Sequence, residues 1–294
     1  MANLKEIQRK IKSVSNTQKT TRAMKLVSTA KLRRAKELAE RSKVFAQKLN
    51  EVISEISTRI SCQKIGGIEN RACVQNDNPQ MVDVIFVTAD KGLCGGFNFQ
   101  TIKAVKKLMS EYKDQKVKVR LRGVGKKGVE FFSFNEVEML DEVKDLSSKP
   151  DMDRAAEFIQ SSMKDFMDGK IDGVTLVYNG FKNALVQELH VQQILPIAVA
   201  CTEEDMPSSV LEIEAEDDEK MLNSLIAKYV EYSMYYSLID SVAAEHSARM
   251  QAMDAATNNA SDLVKSLNVQ FNKARQGAIT TELIEIISGV ESMK

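Results

Sequence analysis

The sequence predicts an α/β fold in which a long antiparallel coiled coil of N- and C-terminal helices carries a central α/β domain. Three observations lead there. Helix breakers are confined to the middle: the prolines are Pro79, Pro150, Pro196 and Pro207, no glycine precedes Gly66, and none lies between Gly180 and Gly277. Both flanks place apolar or small residues at alternating steps of three and four, the spacing of a coiled-coil seam. Between the flanks, short β-rich runs alternate with amphipathic stretches, as in a sheet layered with helices. The divisions expected are 1–65 for the first helix, 75–205 for the α/β domain and 208–294 for the last helix.

The first flank reads Leu4, Ile7, Ile11 and Val14, then resumes from Leu32 through Ala39, Leu49 and Ile53 to Ile60. Between these parts the same register passes through Gln18, Thr21, Lys25 and Ser28. Either side chains are required outward at this polar collar, or the seam is simply irregular there. The last flank runs from Leu222, Leu225 and Tyr229 to Leu267, Phe271 and Ala274. Neither stripe can be buried alone. If the flanks pair with each other they leave the central domain side by side and run antiparallel. At 1.5 Å per residue they would reach about 90 Å and about 120 Å, a rod with a knob.

The central domain opens with a buried strand, "MVDVIFVTA" (81–89), and an amphipathic helix over 98–113. A strand over 116–124, a helix over 153–169, a strand over 173–181 and a final alternating strand over 184–197 complete a Rossmann-like α/β domain. The stretch "MLDEVKDLSS" (139–148) does not read as a strand.

Lysine and arginine balance aspartate and glutamate at 41 each, so net charge names no partner. The charges are nonetheless segregated: residues 1–48 hold fourteen bases against three acids, and 203–219 hold nine acids and no base. The basic flank carries only Phe45 as an aromatic, which denies nucleic acid a stacking platform; a solvated face, or one meeting an acidic protein surface, is expected. Cys62, Cys73, Cys94 and Cys201 show no CxxC spacing and there are only two histidines, so no zinc site is expected and the thiols suit a reducing compartment. No run reaches the roughly 18 apolar residues that span a bilayer, and the N-terminus has no signal-peptide h-region. Any membrane link is expected through a partner.

Two glycine loops invite a phosphate. Gly92, Gly95 and Gly96 form GxxGG, which matches neither GxGxxG nor a P-loop, with Lys91 ahead of the loop. "GVGKKG" (123–128) is a literal GxGxxG after a strand, but "KKGVEFFSF" is short for the helix that should follow, and Asp141, Glu142 and Asp145 do not sit in an evident strand. Tight strand-to-helix turns explain both. His190 and His246 fall in a strand and on a helical seam as packed or half-exposed side chains, and no nucleophile–base or carboxylate pairing stands out. No cofactor is expected, and no catalytic residue.

With these features in hand, the chain resembles the gamma subunits of F-type ATP synthases along its whole length. "IQRKIKSVSNTQKTTRAMKLVSTAKLRRA" (7–35) is similar to the family's N-terminal helix and "DKGLCGGFN" to its loop after the first strand. "ARMQAMDAATNNASDLVKSLNVQFNKARQGAITTELIEIISG" (248–289) is similar to its C-terminal helix, with Val290 where alanine is usual. The resemblance implies a non-catalytic rotor shaft within a ring of three alpha and three beta subunits. Its globular part would lie near the epsilon subunit and the c ring, and no nucleotide would bind to this chain. The shaft would be peripheral, on the cytoplasmic face of the bacterial inner membrane. It also implies that Arg275 and Gln276, and Met24 and Lys25, meet loops of beta. The C-terminal tip (Ile279, Leu283, Ile286, Ile287, Val290) would turn in an apolar bearing. Chloroplast members carry an inserted cysteine pair; only Cys201 lies in the comparable stretch, so thiol control is not expected. A coiled-coil scaffold with an α/β adaptor is the alternative, and a nucleotide-dependent enzyme a weaker one; co-purification with alpha and beta subunits separates them.

Overall fold

The computed structural model describes residues 4–63, 71–73, 76, 78–197 and 218–292. Cys201 and most of the acidic run lie outside the described residues. Those described form, in order, α1 (Leu4–Gln63), a 3-10 turn (Arg71–Cys73), β1 (Met81–Val87), α2 (Phe97–Asp114), β2 (Lys118–Val124), α3 (Lys126–Phe134), β3 (Met139–Val143), α4 (Met152–Met167), β4 (Gly173–Phe181), β5 (Gln187–Leu195) and α5 (Asp218–Glu291). By packing they divide into two compact units, Met1–Thr29 with Arg249–Lys294, and Ala30–Ala248.

The first unit is an antiparallel helix pair. Thr21 bonds Thr257 at 2.8 Å and Lys25 Nζ reaches Asp254 Oδ1 at 2.6 Å, so residue numbers rise on one helix as they fall on the other. Ile7, Thr21 and Ser28 are buried on α1, and Met253, Ala260 and Leu267 on α5, at the three-and-four spacing of the predicted seam.

The larger unit is built on a mixed sheet ordered β3-β2-β1-β4-β5, parallel except where β5 returns antiparallel to β4. β1 and β4 lie inside and are buried on both faces, which is why they read as nearly continuous β-branched and aromatic runs. One face packs Ile85, Val87 and Leu176 under α4 (Phe158, Ile159) and α5 (Val230, Met234, Leu238). The other packs Val84, Phe86 and Val177 under α2 (Ile102, Val105) and α3 (Val129, Phe132). In this unit too α1 and α5 run antiparallel, with Tyr232 donating to the Ser42 carbonyl at 3.0 Å and its ring 4.5 Å from that of Phe45.

β3 corrects the sequence reading of 139–148. It is an edge strand with Met139, Asp141 and Val143 half-buried and Leu140 and Glu142 exposed. Its acids are part of its register: Asp141 receives Arg122 at 2.7 Å. Arg122 and Arg120 extend a buried ionic lattice across the α4 face. Arg120 grips the fully buried Asp83 through two bonds of 2.6 and 3.0 Å and reaches Asp165 at 2.9 Å. Ser162 donates to Asp83 at 2.6 Å and accepts from Arg122, whose guanidinium lies 4.6 Å over Phe158. Paired in this way the charges tolerate the core, whereas removing one partner would strand the other at a cost of about 3–5 kcal/mol.

Candidate functional site

A parallel α/β sheet offers one natural ligand site: the crevice beyond the carboxyl ends of its strands, where chain order reverses. Here that point lies between β1 and β4. The loops around it decide whether a phosphate could enter.

With β3 present, "GVGKKG" does sit between a strand and a helix followed by a strand. The amides that a phosphate would need are nevertheless spent. Lys126 N donates to Asp90 Oδ1 at 3.0 Å, Lys127 N to the Ala89 carbonyl at 3.1 Å, and Gly128 N to Thr88 Oγ1 at 2.9 Å. Gly125 N goes to the Val143 carbonyl at 3.0 Å. The glycines serve this closure: Gly125 holds φ at 97°, and a Cβ there would overlap the Thr88 carbonyl, while one on Gly128 would meet Phe86 and Thr88. Burial pushes the Asp90 carboxyl up, but the amides of Lys126 and Asp145, which donate to its Oδ1 at 3.0 and 3.2 Å, hold it below its ordinary value. Asp90 thus acts as the anion at the start of α3. The other loop, 90–96, turns tightly through positive φ at Leu93 and Gly95, and Asn98 Oδ1 closes it onto Ala89 N at 2.8 Å.

The crevice itself is filled by α5. Ala244 and Ala248 pack against Ala89, Cys94 and Phe97 after β1 and against Phe181 at the end of β4. Asp240 Oδ1 accepts from Phe181 N at 3.1 Å; Ser247 donates to the Ala184 carbonyl at 3.0 Å and accepts from Gln187 Nε2 at 3.3 Å. Gly180 makes room, since a Cβ there would collide with Asp240 and His190. His190 stacks on Tyr178, with ring centres 5.0 Å apart. Burial raises the Asp240 carboxyl above its ordinary value, against the pull of the Phe181 amide, His190 and Lys43.

The residues singled out in the sequence lie in the helix-pair unit. The polar collar is closed: Thr21 and Ser28 are buried on the seam, and Lys25 bridges to Asp254 while its side chain stays 38% exposed. Met24 beside it is half-buried, whereas Arg275 and Gln276 are exposed. The register of the Thr21 and Lys25 pairs brings Leu4, the first residue of α1, level with Ala274. Past that point α5 runs on without it, and Ile279, Leu283, Ile286, Ile287 and Val290 are each 49–63% exposed, with Ile284 among them.

Comparison with known proteins decides the family. The family model described as ATP synthase matches residues 3–293. The ATP synthase gamma chain of Sulfurimonas denitrificans is 71% identical, over the full length of both chains. That of Nitratiruptor is 57% identical, again over the full length of both. The chain belongs to the ATP synthase gamma chain family. A solved structure of similar fold is found in the central stalk and c-ring assembly of the Tetrahymena thermophila mitochondrial ATP synthase, with 25% identity, 81% of this chain and 99% of that one covered, and a TM-score of 0.60. The rotor of the Euglena gracilis mitochondrial enzyme has the same fold at 17% identity, with 94% of this chain and 98% of that one covered and a TM-score of 0.67.

As a gamma chain this is a non-catalytic, rotary-shaft subunit of the ATP synthase, and the scaffold alternative falls away. Among the described residues no helix is long and apolar enough to cross a membrane. Sequence reasoning missed Asp240, Ser247 and Asp90, which look like ordinary helical or loop polar residues. The available signal was Gly180, a glycine near the end of a central strand, where another backbone or side chain approaches closely.

Proposed function

We propose that this gamma chain is the shaft of a proton-translocating synthase, turning inside a ring of three alpha and three beta subunits. The epsilon subunit and the c ring would bear on the sheet domain, on the cytoplasmic face of a bacterial inner membrane where the chain is peripheral. Lys25 and Met24, and Arg275 and Gln276, are the residues that would meet loops of beta; the exposure of Arg275 and Gln276 and the partly exposed Lys25 side chain support this.

The observation that carries the reading is the tip. A helix with six isoleucine, leucine and valine positions, each about half exposed or more, is too apolar to stand in water unaided. An apolar sleeve suits it because greasy contact has no preferred angle, whereas hydrogen bonds would pin the shaft. Reconstitution with purified alpha and beta subunits tests this. Leu283→Ala or Ile286→Ala should be tolerated, while Ile286→Asp with Ile287→Asp should block or strongly impair assembly by burying charge at several kcal/mol. A double aspartate variant that assembles and turns over ATP like wild type means the tip is solvated.

A further inference from the structure

We infer that the β4–β5 hairpin and the end of β1 grip α5 as a torque clamp, with Asp240 and Ser247 as the positioning residues that stop the helix slipping against the sheet. The inference rests on the shaft reading above: if force arrives at the sheet domain and leaves along the shaft, it must pass from sheet to helix.

The geometry is suited to that load. Alanines 244 and 248 let α5 sink into the crevice that other sheets of this topology keep for a ligand. Apolar packing alone resists separation but is non-directional and yields to sliding. The hydrogen bonds are directional, and they lie where sliding would occur. Phe181 N is held by Asp240 at 3.1 Å, and the Ala184 carbonyl by Ser247 at 3.0 Å. Asp240 and Ser247 are two helical turns apart on one stripe, so the hairpin is fastened at two points spaced by about 10 Å along the axis. Gln187 Nε2 adds a third bond to Ser247 at 3.3 Å, from the start of β5. Gly180 permits the closest approach, directly beside the Asp240 carboxylate. This is the inverse of a bearing: a rotating tip avoids directional bonds, and a clamp requires them.

The test uses the full membrane complex reconstituted with variant gamma chains, reading ATP hydrolysis and proton pumping together. Asp240→Ala with Ser247→Ala should lower protons pumped per ATP hydrolysed several-fold while hydrolysis continues. Ser247→Ala alone, a milder cut, should give an intermediate ratio and carries the test if the double variant fails to assemble. Asp240→Asn keeps the acceptor for Phe181 N and should couple like wild type, which a nonspecific loss of packing would not explain. A cysteine pair, Ala184→Cys with Ser247→Cys, should leave turnover intact when oxidised, since the clamped parts move together. Wild-type coupling in Ser247→Ala and in the double variant, or a stall on cross-linking, would overturn the clamp. A wild-type complex that hydrolyses ATP without pumping would overturn the shaft reading and the clamp with it.

Discussion

Two stretches of α5 sit in opposite surroundings. Over 237–248 nearly every position is buried, including Ser237, Asp240, Ser241, Glu245 and Ser247, and Asp240 and Ser247 are tied by hydrogen bonds to the β4–β5 hairpin. Over 281–290 every position is exposed, and the helix carries isoleucine, leucine and valine there. Residue type has been exchanged: the enclosed stretch is rich in small and polar side chains, the bare one in large apolar ones. The enclosed stretch is finished within this chain; we propose that the bare one is completed by a partner.

Gly180 and Gly277 give the largest break in that contrast. Gly180→Val would drive a side chain into Asp240 and His190 and should cost about 3 kcal/mol, seen as a large drop in the melting temperature of the chain. Gly277 is helical with open space where a Cβ would stand. Gly277→Ala should therefore stabilise the isolated chain by about 0.5–1 kcal/mol, read from denaturant unfolding. Similar losses at both sites would erase the distinction.

A smaller effect sharpens it through pH. Burial raises the Asp240 carboxyl, so its proton favours the folded state. That contribution is complete below the unfolded carboxylate value of about 3.9 and is lost as pH rises through the raised folded value. Asp240→Asn removes the burden while keeping an acceptor for Phe181 N. At neutral pH its melting temperature should match or exceed wild type by a few degrees, and the advantage should shrink on acidification through that window. An advantage independent of pH would mean the carboxylate is not the cause.

What was legible in the sequence follows from the range of the interactions. The seam is a local period, so Ile7, Thr21, Ser28, Met253 and Leu267 could be placed from spacing alone, and the tip followed from helix lengths. β3 hid because an edge strand tolerates charge on an alternating pattern; Asp141 reads as a loop acid until Arg122 is set beside it. "GVGKKG" was visible but ambiguous, since the same glycines serve a phosphate or a strand end, and only Thr88, Ala89 and Asp90 show which. The seat of α5 on the β4–β5 hairpin was not legible: Gly180, Asp240 and Ser247 meet through tertiary approach, and no spacing announces it.

Amide hydrogen exchange distinguishes the two stretches of α5, measured in the isolated chain and again after assembly with alpha and beta subunits. Exchange should be slow over 237–248 in both states, and fast over 281–290 in the isolated chain but slowed by orders of magnitude on assembly. A tip already protected in isolation, or one that gains no protection in the complex, would contradict that expectation.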